Sequence, residues 1–166
     1  MAVTAFRGNP VQTSGDLPAV GDAAPAFSLT GGDLGAVTSE GLAGGRVVLN
    51  VFPSIDTPTC AQSVRTFNER AAGLEDTTVV CVSADLPFAA SRFCGAEGID
   101  NVATGSTFRN PEFLDDYGVG LTGSPLAGLC ARAVVVIGSD GTVLHSQLVG
   151  EIADEPDYDA AIAALG

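Results

Sequence analysis

The chain reads as an α/β fold, with a mixed central sheet flanked by helices and a β-hairpin at the N-terminus. Apolar runs with strand character alternate with segments of helical period, and Ser139-Asp140-Gly141 turns the last two runs into an antiparallel pair. At 166 residues with 46% apolar content the chain can bury one substantial core but hardly two. A single domain over 1–166 is expected, with residues 1–14 as a hairpin extension.

The elements follow from period and punctuation. Short β-like runs at 3–6 and 11–13 flank Gly8-Asn9-Pro10, a turn signal. A Gly- and Pro-rich passage leads to a strand at 26–30, which Gly31-Gly32 ends. The apolar run 47–52 is a strand, and the segment after it places Val64, Phe67, Ala71 and Leu74 at helical spacing. The run 78–83 is apolar throughout, as in a strand covered on both faces. Pro87 suits a first helical turn and Gly98 a C′ position, which predicts a helix over 87–97. Gly95 weakens that helix by roughly 1 kcal/mol relative to alanine. A short helix at 112–117, strands at 131–137 and 142–148, and an alanine-rich helix over 158–165 complete the chain.

Composition excludes several classes. Seven basic residues, all arginine, against twenty acidic ones give a net charge of −13, so nucleic acid is not an expected partner. The opening residues lack a basic start followed by an apolar stretch, and no run of about 18 apolar residues occurs later. A cytoplasmic protein without a membrane segment is expected. Cys60, Cys81, Cys94 and Cys130 include no Cys-x-x-Cys pair, and the only histidine, His145, is remote from them in sequence. Neither a metal site nor a cofactor is expected, and any disulfide is expected to be transient and catalytic.

Cys60 carries the chemistry. It follows a strand and the turn Pro53-Ser-Ile-Asp-Thr57, at the start of a helix. Pro58 fits the first helical position, which makes Thr57 the N-cap and puts Cys60 third in the helix. Unpaired N–H groups and the helix dipole there stabilise thiolate over thiol. A helix terminus contributes about 0.3–1 kcal/mol, rising to ~2 when partly buried, so a cation is expected as a second source. Arg132 stands out because it interrupts an apolar strand, where a charge is either at the strand mouth or paired. Arg65 and Arg70 are expected on a solvated face, Cys81 as an inert buried thiol, and His145 at a surface or edge. Cys130 is expected to be structural, with a redox role as the alternative. Thr57 stands where a dithiol exchange loop would need its second cysteine, which favours attack on a peroxide over attack on a disulfide.

Pro53-x-x-x-Thr57-x-x-Cys60 resembles the active-site motif of peroxiredoxins. Asn50-Val-Phe-Pro-Ser-Ile-Asp-Thr57, Ser83-Ala-Asp-Leu-Pro-Phe-Ala89, Ser91-Arg-Phe-Cys-Gly-Ala-Glu-Gly98 and Ala131-Arg-Ala-Val-Val-Val-Ile137 resemble the thiol peroxidase branch, the atypical two-cysteine type, and the likeness extends from Gly8 to Tyr158. The resemblance implies a thioredoxin-like fold and a homodimeric antioxidant peroxidase that reduces hydrogen peroxide and organic hydroperoxides and is recycled by thioredoxin. It implies Cys60 as the peroxidatic thiol and Cys94 as the resolving thiol, paired in an intramolecular disulfide. It further implies Thr57 and Arg132 as peroxide contacts and Pro53 as a shield for the sulfur. A thioredoxin-like disulfide oxidoreductase and a redox-sensing or binding module without turnover are the alternatives.

Overall fold

A computed structural model of the chain describes residues 2–166. The N-terminal hairpin pairs β1 (Val3–Phe6) with β2 (Asn9–Thr13). After β3 (Ser28–Thr30) the chain turns back through Gly31-Gly32 as β4 (Ala36–Thr38), a strand the sequence pattern does not show. Then follow β5 (Arg46–Val51), α1 (Pro58–Ala71), β6 (Thr77–Ser83), α2 (Pro87–Glu97) and β7 (Ala103–Ser106). The last third holds α3 (Glu112–Asp116), β8 (Leu121–Thr122), β9 (Ala133–Ile137), β10 (Val143–Leu148) and α4 (Tyr158–Ala163).

Among these residues one sheet runs β10-β9-β5-β6-β7-β3-β4, with β5, β6 and β7 parallel and the other neighbours antiparallel. The mixed sheet expected from the sequence is therefore present. β8 joins the N-terminal hairpin as a separate β1-β2-β8 sheet.

The apolar runs have no polar face because the central strands are covered on both sides. Val47, Leu49 and Val51 of β5 pack with Val80, Val82, Ala133 and Val135 against Phe113 and Tyr117. The alternate residues Val48, Val79, Cys81, Val134 and Val136 pack on the other side against Val64 and Phe67 of α1 and Ala161 of α4. This is the two-residue period of a strand read on two buried faces. Each fully buried Val, Leu or Phe contributes about 1.5–3 kcal/mol. Leu74, in register with the α1 stripe, lies past the helix end and packs half-buried beneath it.

Candidate active site

The site forms where β5 hands over to α1. The Phe52 amide donates to the Val82 carbonyl at 3.0 Å, continuing the parallel ladder one residue past β5. Pro53 follows, buried and without an N–H to satisfy. Thr57 is the N-cap residue, extended at φ −122° and ψ 150°, and Pro58 opens the helix. The Thr57 side chain makes no cap bond, contrary to the usual threonine role. Its hydroxyl instead donates back to the Ser54 carbonyl at 2.9 Å. The first intrahelical bond runs from the Ala61 amide to the Thr57 carbonyl, so the amides of Thr59 and Cys60 have no partner inside the helix.

Cys60 is 1% exposed, and so is Arg132, although 72 residues separate them. Arg132 Nη2 donates to Cys60 Sγ at 3.2 Å, and Nε donates to the Ile152 carbonyl at 2.8 Å. The third guanidinium nitrogen, Nη1, is buried with no hydrogen-bond partner among the described residues. Both readings of Arg132 open from the sequence hold: it lies one residue before β9, at the strand mouth rather than inside the strand, and it is paired, with a sulfur. A buried cation without a counter-charge costs several kcal/mol. No carboxylate ion pair to Arg132 occurs among the described residues, so Cys60 Sγ is the one side-chain group that accepts a hydrogen bond from its guanidinium.

A polar relay under the first turn of α1 escaped the sequence pattern. Ser63 Oγ donates to the Cys60 carbonyl at 2.7 Å, and Asn50 Nδ2 donates to Ser63 Oγ at 3.1 Å. Both side chains are fully buried, which ties the turn bearing the sulfur to β5. The available signal was an asparagine inside an apolar strand, with a serine one helical turn after the cysteine.

Cys94 lies on α2, half-buried, and burial pushes its thiol above the ordinary value. All four cysteines are free, and both helices that carry Cys60 and Cys94 are intact. A cleft of about 420 Å³ lies between residues 54–56 and α2, lined by Ile55, Asp85, Arg92 and Phe93 among others. Cys81 and Cys130 are sealed in the core. Burial pushes both thiols up to about 12, opposed by hydrogen bonds with Asn50 at Cys81 and with Thr107 at Cys130.

The structure corrects one expectation and sharpens another. Arg65 and Arg70 do not merely face solvent: they make partly exposed ion pairs to Glu97 of α2 and Asp159 of α4, joining α1 to its neighbours. His145 lies on β10, the end strand of the sheet, as expected, but is half-buried with a buried Nε2, because its strand position faces the same side as Val136. Among the described residues no group of His, Cys, Asp and Glu side chains is arranged to hold a metal ion, and no helix is long and apolar enough to cross a membrane.

A thiol at a helix N-terminus beside a buried arginine, on a mixed sheet with a parallel centre, defines a thiol-dependent redox protein. The chain belongs to the Redoxin family, whose profile matches residues 19–162. It is similar to the thiol peroxidase of Mycobacterium tuberculosis, with 60% identity over 166 residues covering 100% of this chain and 99% of that protein. The thiol peroxidase of Corynebacterium glutamicum is 57% identical over 165 residues, covering 99% of each chain. Among solved structures, a peroxiredoxin-like protein from Aquifex aeolicus superposes with a TM-score of 0.92 at 39% identity, covering 98% of this chain and 95% of that one.

Proposed function

We propose that this chain is a thiol-dependent peroxidase that uses Cys60 as its nucleophile and Cys94 to resolve the product. The Cys60 thiolate attacks the terminal oxygen of a hydroperoxide. The O–O bond breaks, the oxygen stays on sulfur as a sulfenic acid, and water or an alcohol leaves after taking a proton. Cys94 then condenses with the sulfenic acid, releasing water and forming an intramolecular disulfide. The dithiol of thioredoxin reduces that disulfide and restores both thiols.

The observation that carries the proposal is the buried Arg132 fork: one nitrogen on Cys60 Sγ and one, Nη1, without a partner. A peroxide oxygen beside the sulfur gives Nη1 its acceptor, and the charge developing on that oxygen is met by a donor already in place. The Cys60 amide, without a partner inside the helix, supplies a second donor of the same kind. Thr57, whose proton is committed to the Ser54 carbonyl, offers its lone pairs to the peroxide hydrogen. Pro53, with no N–H, keeps a water-binding group away from the sulfur. A homodimer acting in the cytoplasm completes the proposal.

The test is peroxide consumption coupled to thioredoxin and its reductase, with hydrogen peroxide and cumene hydroperoxide. Cys60→Ser is expected to abolish turnover, and Cys94→Ser to reduce one equivalent of peroxide and then stop. Sustained turnover in Cys94→Ser would move resolution to another thiol, and no peroxide consumption by the wild type would refute the reading.

A further inference from the structure

The turn that leads into α1 is held from outside by one carboxylate. Asp85 lies in the linker between β6 and α2, two residues before Pro87. One oxygen, Oδ1, accepts from Ser54 Oγ at 2.8 Å, and the other accepts from the Ile55 amide at 2.7 Å and from Ser83 Oγ at 2.7 Å. Its own backbone is fixed as well: the amide donates to Ser83 Oγ at 3.3 Å, and Ser106 Oγ donates to its carbonyl. Two of the three groups that grip the carboxylate belong to the loop between Pro53 and Thr57. The third anchors it to the end of β6.

The grip extends to the site. Ser54 accepts the Thr57 hydroxyl at its carbonyl, and its Oγ accepts the Asp56 amide at 3.2 Å. Asp85 therefore fixes Ser54, Ser54 fixes Thr57, and the Thr57 carbonyl takes the first hydrogen bond of α1. An acceptor-only anion suits this position, because three donors converge on it and hydrogen bonds to a charged acceptor are the stronger kind.

Resting on the peroxidase reading above, we propose that Asp85 is a positioning residue for the peroxide reaction. It holds the Pro53–Thr57 turn on the root of α2 so that the Thr57 hydroxyl faces the peroxide beside Cys60. It touches neither sulfur nor peroxide. Its removal leaves the Cys60–Arg132 pair in place but lets the turn drift, and a misplacement of about 1 Å in a positioned group can cost a hundredfold.

The experiment compares two reactions of Cys60 in a Cys94→Ser background: single-turnover reduction of hydrogen peroxide, and alkylation by iodoacetamide, which has no use for Thr57. Asp85→Ala is expected to lower the peroxide rate constant between about tenfold and a hundredfold while alkylation changes less than about twofold. Asp85→Asn, which keeps an acceptor for the Ile55 amide, is expected to recover part of the loss. Ser54→Ala, which removes the contact to Oδ1 and the Asp56 amide's acceptor but leaves the Ile55 and Ser83 bonds to Asp85, is expected to repeat it in smaller measure. An unchanged peroxide rate in Asp85→Ala, or equal losses in both reactions across the three variants, would overturn the proposal. A parent that alkylates but does not reduce peroxide would instead refute the peroxidase reading, and this inference with it.

Discussion

The two helices that carry Cys60 and Cys94, the proposed reacting thiols, begin alike and are held differently. Both open with proline after an extended N-cap residue whose side chain makes no cap bond. α1 then buries Cys60, Ala61, Ser63, Val64 and Phe67, whereas α2 buries only Pro87 and Ala90, both near its root. The last turn of α2 is closed by backbone bonds from Gly98 and Ile99 to the Cys94 carbonyl, and is tied to α1 by the Arg65–Glu97 pair and by Arg65 over the Phe93 ring at 5.7 Å. Cys60, proposed to meet peroxide in a fixed geometry, sits on the packed helix. Cys94, proposed to travel to it, sits on the helix with fewer buried residues, and segments with few buried contacts open at the lowest free-energy cost.

The largest effect should come from damaging the packed side. Arg132→Met keeps the volume but removes both the charge beside Cys60 and the spare donor. Single-turnover peroxide reduction is expected to fall about a hundredfold or more, the cost typical of losing a preorganised donor. A loss below about fivefold would mean that the buried fork is structural only.

The pH dependence of disulfide formation tests the mobile side. Burial raises the Cys94 thiol while α2 is packed, so the packed form retains a proton that the unwound form releases. The stability this gives α2 is complete below the ordinary thiol value of about 8.5 and is lost as pH rises from there through the raised value. Condensation is thus expected to accelerate by up to about tenfold per pH unit and to continue rising past that point. Levelling at or below the ordinary thiol value would show that Cys94 is already unpacked.

Gly95→Ala sharpens the comparison further. The added methyl meets nothing within 4 Å, so it stabilises α2 by helix propensity alone, about 1 kcal/mol. Disulfide formation is expected to slow about fivefold, with the peroxide step unchanged. The same factor appearing in the peroxide step would place the two thiols on one rigid unit. The smallest effect belongs to Arg65→Gln, which removes a partly exposed ion pair of a kind that contributes about 0–1 kcal/mol. Condensation should speed up about twofold in stopped-flow mixing, and slower condensation would assign the pair a guiding role.

The sequence announces the packed side more clearly than the contacts that serve it. β5, β6 and β9 are legible because they are buried on both faces, and α2 is legible to the residue because Pro87 and Gly98 punctuate it. β4, β7 and β8 are only three, four and two residues long, so their strand character comes from tertiary pairing. In β7, Gly105 lies where a Cβ would come within 2.8 Å of Leu29, so packing, not propensity, selects it. At the site, the turn chemistry singles out Thr57 and Cys60, a charge in an apolar run singles out Arg132, and Pro53 and Cys94 stand out only through the family resemblance. The contact of Arg132 with Cys60, the Asn50–Ser63 relay and the Asp85 latch join distant segments, and no periodicity encodes them.

Hydrogen–deuterium exchange of the reduced and disulfide forms, followed by peptide mass spectrometry, tests the division of labour most directly. The account predicts faster exchange across the Cys94 half of α2 in the disulfide form, with α1 beyond its first turn equally protected in both. Exchange around Cys94 no faster in the disulfide form, or loss of protection along α1 instead, would contradict it.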